Sequence, residues 1–104
     1  MTYEIKITSA ARDDLQDIYD YIAIEKQSPI NAENLIKKIK SVILELNFLP
    51  KSYRIYDKEP FKDKNIRFVP VGNYIIFYAT DDKLKIVNIV RILYGKMDFS
   101  KISK

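Results

Sequence analysis

Two consecutive segments of this chain carry apolar residues at helical spacing, and the stretch after residue 65 carries the patterning of strands. No other feature restricts the fold as much. In the first segment Ala11, Leu15, Ile18 and Ile22 recur at intervals of four, three and four, with Tyr19 widening the stripe and the acidic residues opposite it. In the second, Ala32, Leu35, Ile36, Ile39, Val42, Ile43 and Leu46 share one face, and Lys37, Lys38 and Lys40 lie away from it. Residues three and four apart fall on one side of a helix, so an amphipathic helix is expected over each segment. Tyr3-Glu4-Ile5-Lys6-Ile7 alternates apolar and charged residues ahead of them, as a half-buried strand does.

Turn chemistry separates these elements. Thr8 or Ser9 can cap the first helix, with Asp13 and Asp14 near its positive end. Gln27-Ser28-Pro29 breaks the first stripe and starts the second helix, with Ser28 as N-cap and Pro29 at the first helical position. Phe48-Leu49-Pro50 ends it, and residues 51–65 read as a polar loop with a short edge strand around Arg54-Ile55-Tyr56. Three strands follow, Ile66 to Val71, Tyr74 to Ala79 and Leu84 to Leu93, joined by short turns at Gly72-Asn73 and at Thr80 to Lys83. Tyr74-Ile75-Ile76-Phe77-Tyr78 is apolar on both faces, which suits a central strand. The expected fold is α+β, β-α-α-β-β-β, an antiparallel sheet with an N-terminal helical hairpin packed on one face. The other face would be partly open and would offer a binding surface. A single domain over residues 1–104 is expected, ending in a short tail from Asp98 to Lys104 with one helical turn.

Composition narrows the chemistry. With no cysteine and no histidine, disulfides, thiolate nucleophiles, the usual zinc constellations and the commonest general base are all excluded. Neither a metal nor a cofactor is expected. The opening residues lack an apolar signal core, and no apolar run approaches the roughly 20 residues of a bilayer span, so a soluble, cytoplasmic protein is expected. Charge is unevenly placed. From Ala10 to Glu25, Arg12 stands alone against Asp13, Asp14, Asp17, Asp20 and Glu25, whereas from Lys26 onward 16 bases face 8 acids, an excess of 8. That basic field suits a polyanion or an acidic partner segment, and equally a solvated surface.

Two motifs carry a family resemblance. Arg67-Phe68-Val69-Pro70-Val71-Gly72-Asn73-Tyr74-Ile75-Ile76-Phe77-Tyr78 resembles the middle strands of the RelE/ParE toxins, in which an Arg is followed by Asn-Tyr and a hydrophobic run ending in Tyr. Ile89-Val90-Arg91-Ile92-Leu93-Tyr94-Gly95-Lys96-Met97-Asp98-Phe99 resembles their closing strand, where apolar-Arg-apolar-apolar precedes His or Tyr, Gly, a base and Asp. Tyr56-Asp57-Lys58-Glu59-Pro60-Phe61 also matches a segment of this subgroup, so the similarity covers nearly the whole chain. It implies the toxin of a type II toxin–antitoxin, plasmid-stabilisation-type system: a growth inhibitor silenced by a cognate antitoxin in a hetero-oligomer. An antitoxin helix would lie over the helical hairpin or against the open sheet edge, and clustered lysines would speed its encounter with an acidic segment.

The family implies two activities. RelE-like members are ribosome-dependent endoribonucleases that cut mRNA, whereas ParE-like members bind and block DNA gyrase. The missing histidine and the ParE-like ending Tyr94-Gly95-Lys96-Met97-Asp98 favour gyrase; mRNA cleavage on translating ribosomes and a plain interaction module are the alternatives. Cleavage would need a base, cations around the phosphate and an acid for the leaving oxygen. On the RelE pattern the catalytic residues would be Arg67 and Arg91 as phosphate clamps, with Tyr94 stacking on a base or donating a proton. Lys51, Arg54, Lys58 and Lys96 would contact the target or RNA, and Glu59 is the nearest carboxylate for a base. Plainer roles compete: Arg67 and Arg91 can pair with acids on adjacent strands, Tyr94 can be a sheet-edge aromatic, Tyr74 and Tyr78 can be core or rim, and Glu59 can be surface only.

Overall fold

A computed structural model describes residues 2–97. Its elements run β1 (Glu4–Ile7), α1 (Ser9–Asp20), α2 (Pro29–Glu45), β2 (Arg67–Val71), β3 (Tyr74–Asp81) and β4 (Ile86–Tyr94), the α+β order that the periodicity predicts. The tail expected from Asp98 to Lys104 lies outside the described residues. No helix among the described residues is long and apolar enough to cross a membrane.

Of the two candidate caps, Thr8 takes the position. Its backbone is extended, and its hydroxyl oxygen accepts the Ala11 N–H at 3.1 Å, satisfying one of the amides that a helix start leaves without a partner. The same hydroxyl donates to the Ile89 carbonyl at 2.9 Å, so the first turn of α1 is tied to β4. α1 runs on into a wider π-type turn over Tyr21–Glu25. Gln27, at φ 53°, then reverses the chain, and Pro29 opens α2. Ser28 precedes that proline as expected, but its hydroxyl donates back to the Lys26 carbonyl instead of capping the helix.

The sheet order is β1-β4-β3-β2. β2, β3 and β4 form the expected antiparallel meander, with Val71 opposite Tyr74 across the hairpin and Gly72 at φ 58° in the left-handed region that glycine adopts without strain. β1 departs from the antiparallel expectation: it lies parallel to β4, pairing Glu4 with Ile86 through Ile7 with Ile89, so the sheet is mixed. An intervening helical hairpin, unlike a tight turn, can carry the chain back to start a parallel strand.

Both sheet faces are covered. The helices bury Ala11, Ile18, Ile39 and Ile43 against Val69, Ile76, Tyr78, Val87, Ile89 and Ile92. On the opposite face, expected to be partly open, the loop folds back: Phe61 and Ile66 are buried with Phe77 and Leu93. Tyr56 stands edge-on to Phe68 at 5.3 Å and to Phe77 at 5.0 Å. The edge strand expected around Arg54-Ile55-Tyr56 is reduced to one bridge, Ile55 to Arg67, flanked by Tyr56 N–H to the Ile66 carbonyl and Phe68 N–H to the Arg54 carbonyl.

Tyr78, fully buried on β3, closes the joint between α2 and the loop by donating its hydroxyl to the Pro50 carbonyl. Tyr78→Phe strips that carbonyl of its donor and should lower stability by about 1–3 kcal/mol in urea unfolding at neutral pH. Burial pushes the Tyr78 phenol from 10.0 up to about 12. The native state holds this proton more tightly than the unfolded chain, so its stabilisation is whole below pH 10.0 and lost as pH rises through about 12. The variant should therefore lose stability less steeply over that alkaline window; an identical slope would contradict the assignment.

Candidate functional site

β1 pairs with β4 only as far as Ile89, which leaves residues 90–94 of β4 without a strand on that side. An uncovered edge presents backbone amides that need partners. α1 supplies one. The Asp14 carboxylate accepts the Ile92 N–H at 2.9 Å, the Arg91 Nε–H at 2.7 Å and the Arg91 Nη2–H at 2.8 Å. A register shift between Phe77 and Tyr78 places Phe77 opposite Arg91 and Tyr78 opposite Ile89, so Val90 is an extra residue on β4. Such a bulge re-aims the side chains after it, here at the position where Arg91 meets α1. Asp14 is the one charged residue buried among the described residues, and hydrogen bonding to it holds Arg91 above the ordinary guanidinium range.

Beside this clamp lies a groove of about 800 Å³ between α1 and the ends of β3 and β4. It is lined by the Asp14–Arg91 pair together with Asp17, Tyr21, Tyr74, Tyr94 and Met97. The Tyr74 and Tyr94 rings meet edge-on at 5.7 Å. Burial, with Tyr21 and Tyr94 nearby, raises the Tyr74 phenol above its ordinary value. Tyr21, Tyr94 and Met97 are exposed, although each belongs to a residue type that prefers burial on at least one side.

The residues singled out from the sequence fall into two groups. Arg91 and Tyr94 line the groove, with exposed Lys96 in the turn that follows. Arg67 is elsewhere, at the start of the edge strand β2, opposite Tyr78, with its Nη1 donating to the carbonyls of Tyr53 at 2.6 Å and Lys51 at 3.3 Å. Lys51 belongs to that second neighbourhood. Its ammonium pairs with Asp82, whose carboxyl is held below its usual range by that hydrogen bond and by a second from the Tyr3 hydroxyl. Arg54, Lys58 and Glu59 are exposed in the loop that covers the second sheet face. Arg67 and Arg91, pictured as two clamps on one phosphate, each engage the protein's own oxygens: Arg67 two loop carbonyls, Arg91 the Asp14 carboxylate on α1.

Asp14, Asp17, Tyr21 and Tyr74 were missing from the residues singled out as a site. Asp14 carried a signal: it sits three residues after Ala11 and four before Ile18, inside the apolar stripe, where an acid is out of place unless paired.

A sequence model of the family described as the ParE toxin of the type II toxin–antitoxin system parDE matches residues 5–99. No curated protein sequence matches the chain. Among solved structures, the chromosomal ParDE toxin–antitoxin system of P. aeruginosa superposes with a TM-score of 0.73 at 19% identity, covering 91% of this chain and 98% of that one. The RelBE2 toxin–antitoxin complex of Mycobacterium tuberculosis gives 0.65 at 18%, covering 90% and 99%. A mutant of the E. coli toxin RelE in the free state gives 0.61 at 12%, covering 92% and 86%. At these identities the likeness is one of fold.

Breaking the clamp should be costly, because each partner leaves the other inside the protein. Asp14→Ala and Arg91→Ala should each lose about 3 kcal/mol, the low end for buried pairs since Arg91 keeps 20% of its side-chain surface in water. The double variant should lose markedly less than the sum in urea unfolding, and strict additivity would rule the coupling out.

Proposed function

The chain belongs to the ParE toxins of type II toxin–antitoxin systems, and from that premise we propose that it inhibits growth by binding DNA gyrase, without cutting RNA. In this reading it works in the cytoplasm as the toxin of a plasmid-stabilisation-type pair, folded as a single domain, and a cognate antitoxin silences it in a hetero-oligomer. Related folds that are toxin–antitoxin complexes support the antitoxin partner.

The observation that carries the gyrase reading is that each of the two arginines is already engaged by the protein's own oxygens. Phosphoryl-transfer chemistry draws its rate from cationic groups converging on one phosphate. Arg67 instead braces the Tyr53 carbonyl from the edge strand β2, and Arg91, two strands away on β4, is clamped by Asp14 of α1. Each guanidinium holds a structural joint, which favours a toxin that acts through its surface.

One observation favours the second reading, a ribosome-dependent mRNA endoribonuclease: Arg91 and Tyr94 do share a groove. There Arg91 would clamp phosphate and Tyr94 would stack or donate a proton, with Lys96 in support. Lys51, Arg54, Lys58 and Arg67 would then contact RNA only at a distance from that centre.

Purified protein should abolish supercoiling by gyrase and leave mRNA intact on translating ribosomes. Codon-register cleavage that disappears in Arg91→Ala would overturn the proposal in favour of the nuclease. Expression without an antitoxin that leaves growth unchanged would reduce the chain to an interaction module.

A further inference from the structure

We propose that the notch between α1, α2 and the end of β1 is a docking site for an acidic amphipathic protein segment, which presents a carboxylate to Arg12 and Lys40. This rests on the reading of the chain as a toxin silenced by a protein partner, and it specifies which surface of the helical hairpin is used and which charge it selects.

Shape and apolarity come first. Ile7, Leu15 and Ile36 pack against the main core yet each stays half-buried, and with Tyr19 they line a concavity of about 520 Å³. Arg12, Gln16 and Tyr19 stand at i, i+4 and i+7 on α1, and Ile36 and Lys40 at i and i+4 on α2, so each helix contributes one stripe. Aliphatic side chains left partly in water accept the apolar anchors of an amphipathic segment.

Charge then selects among partners. The larger groove beside the clamp holds Lys26 and Arg91 against Asp14 and Asp17, so its charges balance. The notch differs, because Arg12 and Lys40 are in its lining and no carboxylate is. One acid is bonded to that lining: Asp20, half-buried, accepts an N–H of the Gln16 side-chain amide at 3.0 Å. Even with Asp20 included, two bases outweigh one acid.

These two cations are also uncommitted in a way that others are not. Arg91, Arg67 and Lys51 are engaged within the protein, by Asp14, by the Tyr53 carbonyl and by Asp82. Arg12 and Lys40 are exposed and make no salt bridge among the described residues. An acidic segment therefore meets them without displacing an internal partner, and the attraction also steers its approach. Nucleic acid asks for a longer track of cations with aromatic faces for its bases, whereas the notch offers two cations and a mainly aliphatic lining.

The test is a titration of the full chain, followed by the methyl NMR signals of Ile7, Leu15 and Ile36, with three probes of matched length: a leucine–glutamate amphipathic peptide, its leucine–lysine counterpart and an oligouridylate. The leucine–glutamate peptide should shift these signals and bind there about tenfold more tightly than either other probe. Arg12→Glu combined with Lys40→Glu should reverse the preference between the two peptides. Both residues are exposed and outside the Asp14 clamp, so an unchanged Ile92 amide signal will show that the variant keeps its fold. Oligouridylate binding the notch more tightly than the peptides, peptide shifts confined to Tyr94 and Met97 of the larger groove, or a preference unchanged by the double substitution would each overturn the proposal. The preference is read without gyrase, so a protein that spares gyrase yet prefers the acidic peptide loses the gyrase reading and keeps this site.

Discussion

The joint between helix and sheet depends on one carboxylate. β1 is four residues long and β4 is nine, so more than half of β4 would face solvent on that side with unpaired amides. Asp14 stands in for the missing strand at Ile92 and at the same time neutralises Arg91. Thr8 performs a related double task at the start of α1, capping the helix while bonding the last paired carbonyl of β4. A buried ion pair is seldom a large source of net stability, because desolvation offsets most of the attraction. What this one supplies is registry: a single turn of α1 can meet a single position on β4. The groove depends on that registry, since the pair and the next turn of α1 are both part of its lining.

The elements were legible from the sequence because two periods dominate it. Stripes at 11, 15, 18 and 22 and at 32–46 can only be satisfied by helices, and the two-sided apolar run of Tyr74 to Tyr78 only by a central strand, which β3 is. The parallel placement of β1 was not legible, because alternation in Tyr3 to Ile7 sets a buried face and says nothing about direction. The cover on the second face was hidden for a different reason. Tyr56, Phe61 and Ile66 are five residues apart, a spacing that matches neither helix nor strand, and they reach Phe77 from an irregular loop.

The candidate site was legible in part. Arg91 and Tyr94 were found by motif and do line one groove; Arg67, found by the same reasoning, is a brace for the loop at Tyr53. A motif records which residues recur in a family and not which of them converge in space. The acidic run on α1 had looked like a solvated face. Folding splits it, turning Asp14 inward to Arg91 and leaving Asp13 and Asp17 exposed and Asp20 half-buried. The molecule is thus basic in total, yet its first helix keeps acids on the flank beside the groove, with Asp17 among the lining residues.

Amide hydrogen exchange at Ile92 tests the role of Asp14 most directly. With the carboxylate as its acceptor, this amide should be protected to the level of the Ile89 amide in the paired part of β4. In Asp14→Ala it should exchange at least about tenfold faster relative to Ile89, over and above any general loss of stability. Equal acceleration at both positions, or protection at Ile92 that survives the substitution, would mean that something other than Asp14 holds α1 to the edge of β4.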